Sequence, residues 1–390
     1  MSNDACERFR AAYRVRAEGR DARARAQALA LEQSIEMPLE AVTQDFVRER
    51  VVARVESVEP AATDGAFDVG LSFATATSGL EAGQLLNMLF GNCSLQPDVE
   101  LVDFEPGREI LSALPGPRFG ADGWRRALGL DPAAPRPLTC TALKPQGQSP
   151  QQLAQLAGTF ALAGIDVIKD DHGIADQDYA RFAPRVAAVQ RAVEQACAQR
   201  SCGGRALYAP TLSGGPRRLR EQLRVVRDEG VGAVLICPML VGAPALVELV
   251  REEAGVPILA HPAFAGNVRI APDLLLGRLF RMFGADATIF PNFGGRFSYD
   301  RATCRAIARR ASEPLGSMPA ILPVPAGGMG TERIDEMFGE FGNDAMLLIG
   351  GHLLAGATTP GDSVLARATA FVERVHAAAA SRRAHSGLRP

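Results

Sequence analysis

From about Pro137 onward the chain repeats one pattern, a short β-branched run followed by an amphipathic segment of helix length. The runs fall at 138–143, 166–168, 206–209, 233–236, 257–260, 288–290, 320–324 and 346–349. Helical stretches lie between them, for example 150–163, 180–199, 217–229 and 300–311, and a last one runs from 363 to about 379. Eight such units in about 250 residues predict a closed parallel (β/α)8 barrel of the TIM type. The alternative is a doubly wound sheet. Eight near-equal units with no GxGxxG after the first run argue against it.

The first 115 residues lack this rhythm. Strands near 9–16, 51–57 and 66–72 and helices near 22–33 and 81–90 predict a small α+β domain of ferredoxin-like type. The prolines at 115–117 and 132–137 punctuate the passage between the two parts. The reading is an N-terminal domain over residues 1–120, a barrel over 121–380 and a frayed basic tail over 381–390.

Bulk properties narrow the function. With 47% hydrophobic and 22% charged residues, the 390-residue chain can bury a substantial core. A net charge of −2 gives no reason to expect a nucleic-acid or membrane-surface partner. No apolar run reaches the ~18 residues of a membrane helix. The N-terminus has no apolar leader core, and seven scattered cysteines without a CxxC pair fit reduced thiols. The expectation is a cytoplasmic enzyme.

Only two lysines, Lys144 and Lys169, stand against forty arginines. Arginine stays protonated, whereas a lysine amine can lose its proton and attack a carbonyl or CO2. Both lysines follow apolar runs (LTCTALK and IDVIKDD), where barrel enzymes place their chemistry. His261 follows the fifth run, Gly294-Gly295-Arg296 the sixth, Gly327-Gly328 the seventh and Gly350-Gly351 the eighth.

Period two puts Lys169 and Asp171 on one strand face, and His172 joins them only if the pleat breaks there. Asp171 and His172 with one further oxygen would suit a divalent metal. The bland alternative for Asp-Asp-His-Gly is a surface turn. The Gly pairs after the last two runs suit phosphate held on backbone N–H groups, or are simply turn residues.

Lys144-Pro145, the segment 164–172 (GIDVIKDDH), Gly327-Gly328 and Gly350-Gly351 together resemble the large subunit of ribulose-bisphosphate carboxylase (RuBisCO). The resemblance is closer to its non-fixing form IV relatives, the RuBisCO-like proteins, and covers nearly the whole chain. It implies that CO2 carbamylates Lys169, that the carbamate and Asp171 bind Mg2+, and that His172 stands where the family has a glutamate ligand. His172 leaves Mn2+ or Zn2+ open. Lys144 matches the lysine that handles protons at the reacting carbons. His261 matches an active-site histidine, and Arg296 falls where the family has the flexible-loop lysine. Glu32 and Asn92 match residues that reach into a partner subunit's site, which implies a homodimer.

The departures are as telling. The family's second lysine is Gln146 here, its arginine after the strand-five histidine is Pro262, its strand-six histidine is Ile289 and its serine before the Gly pair is Ala326. The Thr-Trp pair is missing around Ile35–Met37. In carboxylases the lost arginine, histidine and serine hold one phosphate and a nearby hydroxyl of the bisphosphate, so the resemblance implies a small phosphorylated sugar substrate but no CO2 fixation. Four readings stay open. They are enolisation leading to isomerisation of a methylthioribulose-phosphate type of ketose, decarboxylation of a phosphorylated 3-oxo sugar acid (the 3-oxo-isoapionate-phosphate type), a Schiff-base aldolase acting through Lys169, and a non-catalytic metabolite binder.

Overall fold

The computed structural model describes residues 7–17, 21–200, 204–252, 255–297, 299–355 and 362–386. Its N-terminal part is a four-stranded antiparallel sheet of β1 (Arg8–Arg16), β2 (Arg54–Pro60), β3 (Ala66–Ala74) and β4 (Val99–Glu105), in the order β2-β3-β1-β4. That order, with helices Ala22–Glu32 and Ala82–Phe90 between the first and second and the third and fourth strands, is the ferredoxin-like topology. Strand alternation sends Phe9, Ala11, Tyr13, Val15, Leu71 and Phe73 inward, and Phe9 stacks on Phe73 with centroids 5.2 Å apart. The sequence reading does not separate out β4, whose three acidic residues dilute its alternation.

The barrel strands are β5 (Leu138–Leu143), β6 (Val167–Asp170), β7 (Leu207–Ala209), β8 (Thr211–Leu212), β9 (Val234–Ile236), β10 (Ile258–Ala260), β11 (Ala287–Pro291), β12 (Leu322–Ala326) and β13 (Met346–Leu348). Parallel ladders run β13-β5-β6-β7 and β8-β9-β10-β11-β12. β7 and β8 are one barrel strand interrupted at Pro210, which has no N–H to give the ladder. β12 lies beside β13, so eight strands close into a (β/α)8 barrel. The inward face is continuous: Leu138, Cys140, Val167, Leu207, Leu235, Leu259, Ala287, Val324 and Met346 pack together, with Trp124 of helix Gly120–Ala127 in the same cluster. The core fills the barrel below its C-terminal rim.

The last helix, Val364–Ser386, runs past Ser381, where the sequence places the start of a basic tail. The alanines at 377–380 extend the helix. Residues 387–390 of that tail lie outside the described residues. Among the described residues, no helix is long and apolar enough to cross a membrane.

Charge ties the sheet to the barrel. Arg278 stands 3.1 Å from Asp103 of β4 and 2.6 Å from Glu313, while Arg310 stands 2.8 Å from Asp103, 3.2 Å from Asp273 and 3.1 Å from Glu313. Burial works to raise the Glu313 carboxyl, but hydrogen bonds from Arg278 and Arg310 outweigh it and hold it below its ordinary value of 4.5. A depressed carboxylate contributes stability above its unfolded pKa, and that contribution is lost as pH falls through the folded value. Arg278→Ala should therefore cost about 1 kcal/mol at neutral pH, because Glu313 and Asp103 each lose one of two guanidiniums while Arg310 stays on both. Thermal unfolding of both proteins should show that gap narrowing below pH 4.5. A gap independent of pH would contradict this assignment.

Candidate active site

The C-terminal rim carries one cavity of about 780 Å³. Lys144, Lys169, Asp171, His172, His261, Arg296, Gly327, Gly328, Gly350 and Gly351 all line it. Ten positions read from the sequence thus meet at one mouth. The strand register is the reason, since Ala142 pairs with Lys169 and Leu143 with Asp170 across β5 and β6. Inward alternation then sends Lys144, Lys169 and Asp171 to the same side. β6 ends at Asp170, so the pleat breaks where His172 needs it to.

Lys169 is buried, and its Nζ donates to the Asp170 carbonyl oxygen at 3.0 Å. Burial lowers its pKa from the ordinary lysine value, against the pull of Cys140, Asp171 and Asp170. Lys144 forms an ion pair with Asp171, a contact the sequence did not reveal. His172 Nδ1 lies 2.8 Å from the other Asp171 oxygen. Burial opposes ionisation of Asp171, but the hydrogen bonds from His172 and Lys144 keep its carboxyl well below the usual carboxylate range.

The rings of His172 and His261 stack at 4.2 Å, 12° from parallel. His261 Nδ1 accepts the Ala263 N–H at 3.1 Å, so Nε2 carries the proton. Burial, with the nearby charge of Lys169, lowers the His261 pKa to about 2. His261 is therefore a neutral donor through the physiological range.

Gly327 and Gly328 adopt φ of 93° and 88°, a region that favours glycine. The loop carrying Arg296 closes over them. A Cβ on Gly327 would come 2.9 Å from the Phe297 ring, and one on Gly328 would come 2.6 Å from Arg296 Cγ. The Arg296 N–H donates to the Gly327 carbonyl at 2.8 Å, while its guanidinium sits 5.5 Å over the Phe297 ring. The N–H groups of Gly327, Gly328, Gly350 and Gly351 donate to no carbonyl or side chain among the described residues. They are open to an anion.

Apolar side chains make up much of the remaining lining. Pro262, Phe264, Ile289, Phe297, Ala326 and Leu348 contribute to it, and Phe264 and Phe297 are more than half exposed. The two phenylalanines carry no motif. They become visible only once the loops after β10 and β11 are folded over the mouth.

Glu32 and Asn92 lie elsewhere. Asn92 Nδ2 donates to Glu32 Oε1 at 3.1 Å and to Glu36 Oε1 at 2.8 Å, in a pocket of about 260 Å³ on the N-terminal domain. They take no part in their own chain's barrel cavity.

Among the described residues, no three His, Cys, Asp or Glu side chains converge as a metal-binding group. Asp171 and His172 are two donors side by side, and Lys169 lines the same cavity on the strand face of Asp171. A buried amine whose pKa is lowered is the form that reacts with CO2, and a carbamate there would supply the missing anionic oxygen. The donor set fits a divalent cation on that condition.

Residues 125–381 match the family described as ribulose bisphosphate carboxylase large chain, catalytic domain. The chain is 50% identical over 372 residues to a ribulose bisphosphate carboxylase-like protein of Rhodopseudomonas palustris, covering 95% of this chain and 98% of that one. It is 48% identical over 376 residues to the 5-methylthioribulose-1-phosphate isomerase of Rhodospirillum rubrum, covering 96% and 98%. The crystal structure of a Rubisco-like protein from Rhodopseudomonas palustris superposes with a TM-score of 0.85 over 95% of this chain and 97% of that one, at 48% identity. By fold, by motif and by these likenesses, the chain belongs to the RuBisCO large-chain family, among its RuBisCO-like proteins.

Proposed function

We propose that this enzyme enolises a phosphorylated ketose of the 5-methylthioribulose 1-phosphate type and isomerises it by proton transfer, without fixing CO2. One observation carries the reading. The cavity keeps the Lys144–Asp171–Lys169 group and the open glycine N–H groups, but presents Pro262, Ile289 and Ala326 where a second phosphate would need polar side chains. Apolar lining together with a phosphate cradle suits a substrate with one phosphate and one thioether end. The relative of that name from Rhodospirillum rubrum supports the same choice.

Asp171, His172 and a carbamate on Lys169 would hold a divalent cation, Mg2+ first and Mn2+ or Zn2+ by virtue of the imidazole. When bound, that cation supplies Lewis-acid polarisation of the substrate carbonyl. The glycine N–H groups hold the phosphate. His261 offers its Nε2–H to a substrate oxygen as charge develops there. Lys144, acting as the free amine once its ammonium has given up a proton, takes the proton from the carbon beside the carbonyl and returns it from its ammonium form to a neighbouring carbon of the enediolate. Phe264 and Phe297 cover the apolar end and exclude water.

A single phosphate site predicts that 5-methylthioribulose 1-phosphate and ribulose 1,5-bisphosphate bind within ~100-fold of one another, about 2.7 kcal/mol. Calorimetric titration of each measures this. A bisphosphate more than 100-fold tighter would contradict it.

The minimal unit in this reading is a homodimer in which Glu32 and Asn92 complete the partner's cavity. Their place outside their own chain's cavity supports it. Reassembling Lys169→Arg chains with Glu32→Gln chains should then restore roughly a quarter of wild-type activity, since half the dimers are mixed and each has one intact site. No recovery in verified mixed dimers would exclude shared sites.

A further inference from the structure

Asp170 stands between two active-site residues and points away from them. Its side chain leaves the barrel interior and is fully buried in the layer between strands and helices. Its carboxylate accepts the Tyr208 hydroxyl at 2.8 Å and the Thr211 N–H at 3.1 Å, and lies 3.1 Å from Arg185 Nη2. Tyr208 and Arg185 are equally buried. Arg185 Nη1 donates to the carbonyls of Ala175 and Ala180, both at 2.8 Å, and so fastens both ends of the loop that follows His172. The Thr211 hydroxyl donates to the Asp171 carbonyl at 3.2 Å.

These contacts meet where β6 stops and where Pro210 interrupts the neighbouring strand. At that point the regular ladder no longer fixes the backbone. Asp170 replaces it, because its carboxylate takes the first N–H beyond the interruption. A charged group buried this deeply is costly unless fully partnered. Its partners all hold the backbone that orients Lys169, Asp171 and His172.

We infer that Asp170, Arg185 and Tyr208 form a positioning triad that sets the orientation of Asp171 and with it the Lys144–Asp171 pair. None of the three lines the cavity. The inference rests on the proposed reaction for its kinetic consequence, but not for its structural one. Support from a buried outer group is worth ~10–100-fold in comparable sites.

The chain's two lysines make the test direct. Protein grown with [ε-13C]lysine gives two resonances, assigned with Lys144→Arg. In Asp170→Asn the Lys144 resonance should shift or broaden, and kcat for 5-methylthioribulose 1-phosphate should fall ~10–100-fold with KM changed less than ~3-fold. Tyr208→Phe removes one hydrogen bond, keeps the ring, and should show the same pattern more weakly. It decides the question if Asp170→Asn does not fold. The control is Asp286→Asn, a buried carboxylate that accepts three backbone N–H groups from Phe119, Gly120 and Ile258. It should leave both lysine resonances in place. Resonances unchanged in the folded triad variants, or moved equally by Asp286→Asn, would overturn the assignment. If wild type does not turn over this substrate, the proposed reaction fails and the resonances alone decide the triad.

Discussion

Lys169→Arg is expected to abolish turnover, by ~10³-fold or more, while the barrel still folds. A guanidinium keeps its proton in any protein environment and cannot take up CO2. Lys169 is buried with its pKa lowered, so the wild-type amine reaches its neutral form at lower pH than an exposed lysine would. Wild type given 13C-bicarbonate and Mg2+ should show one carbamate carbon resonance that Lys169→Arg lacks, and EDTA should silence wild type reversibly. Activity that survives EDTA would contradict the carbamate reading, and covalent trapping of Lys169 by borohydride with substrate would show it to be a Schiff-base nucleophile instead.

Lys144→Arg separates proton transfer from metal binding. The variant keeps a cation beside Asp171, so the ion pair persists in kind. What it loses is an amine able to pass a proton on and off, and proton transfer by a positioned side chain contributes typically 10²–10⁴-fold. Turnover should fall by that factor, whereas Mn2+ affinity followed by electron paramagnetic resonance should change less than threefold. Equal losses in both would mean that Lys144 acts by holding Asp171 and not by moving protons.

Much of the barrel could be read from the sequence because its strands are short apolar runs bounded by turn residues. The first run matches β5 at both ends, and the others shift by one or two residues. Period-two alternation and the end of β6 account for Lys169, Asp171 and His172 meeting. The Lys144–Asp171 pair was not readable, because it depends on how β5 and β6 are staggered. The break at Pro210 looked like an ordinary strand end, since a two-residue continuation such as β8 carries no pattern of its own. Asp170 was hidden for a similar reason: in KDDH two adjacent carboxylates look alike, and only the fold shows that one faces the cavity and the other the buried layer. The cover of Arg296 and Phe297 over Gly327 and Gly328 joins loops some thirty residues apart, a contact that no local signal encodes.

The central claim is that this RuBisCO-like enzyme moves protons on a phosphorylated ketose and fixes no carbon. The most direct measurement is proton NMR of 5-methylthioribulose 1-phosphate incubated with the Mg2+- and bicarbonate-treated enzyme in D2O, with 13C-bicarbonate present. The account predicts deuterium at the carbons flanking the carbonyl, an isomeric ketose phosphate as product, and no 13C in any organic product. A 13C-labelled acid, or substrate recovered without exchange at those carbons, would contradict it.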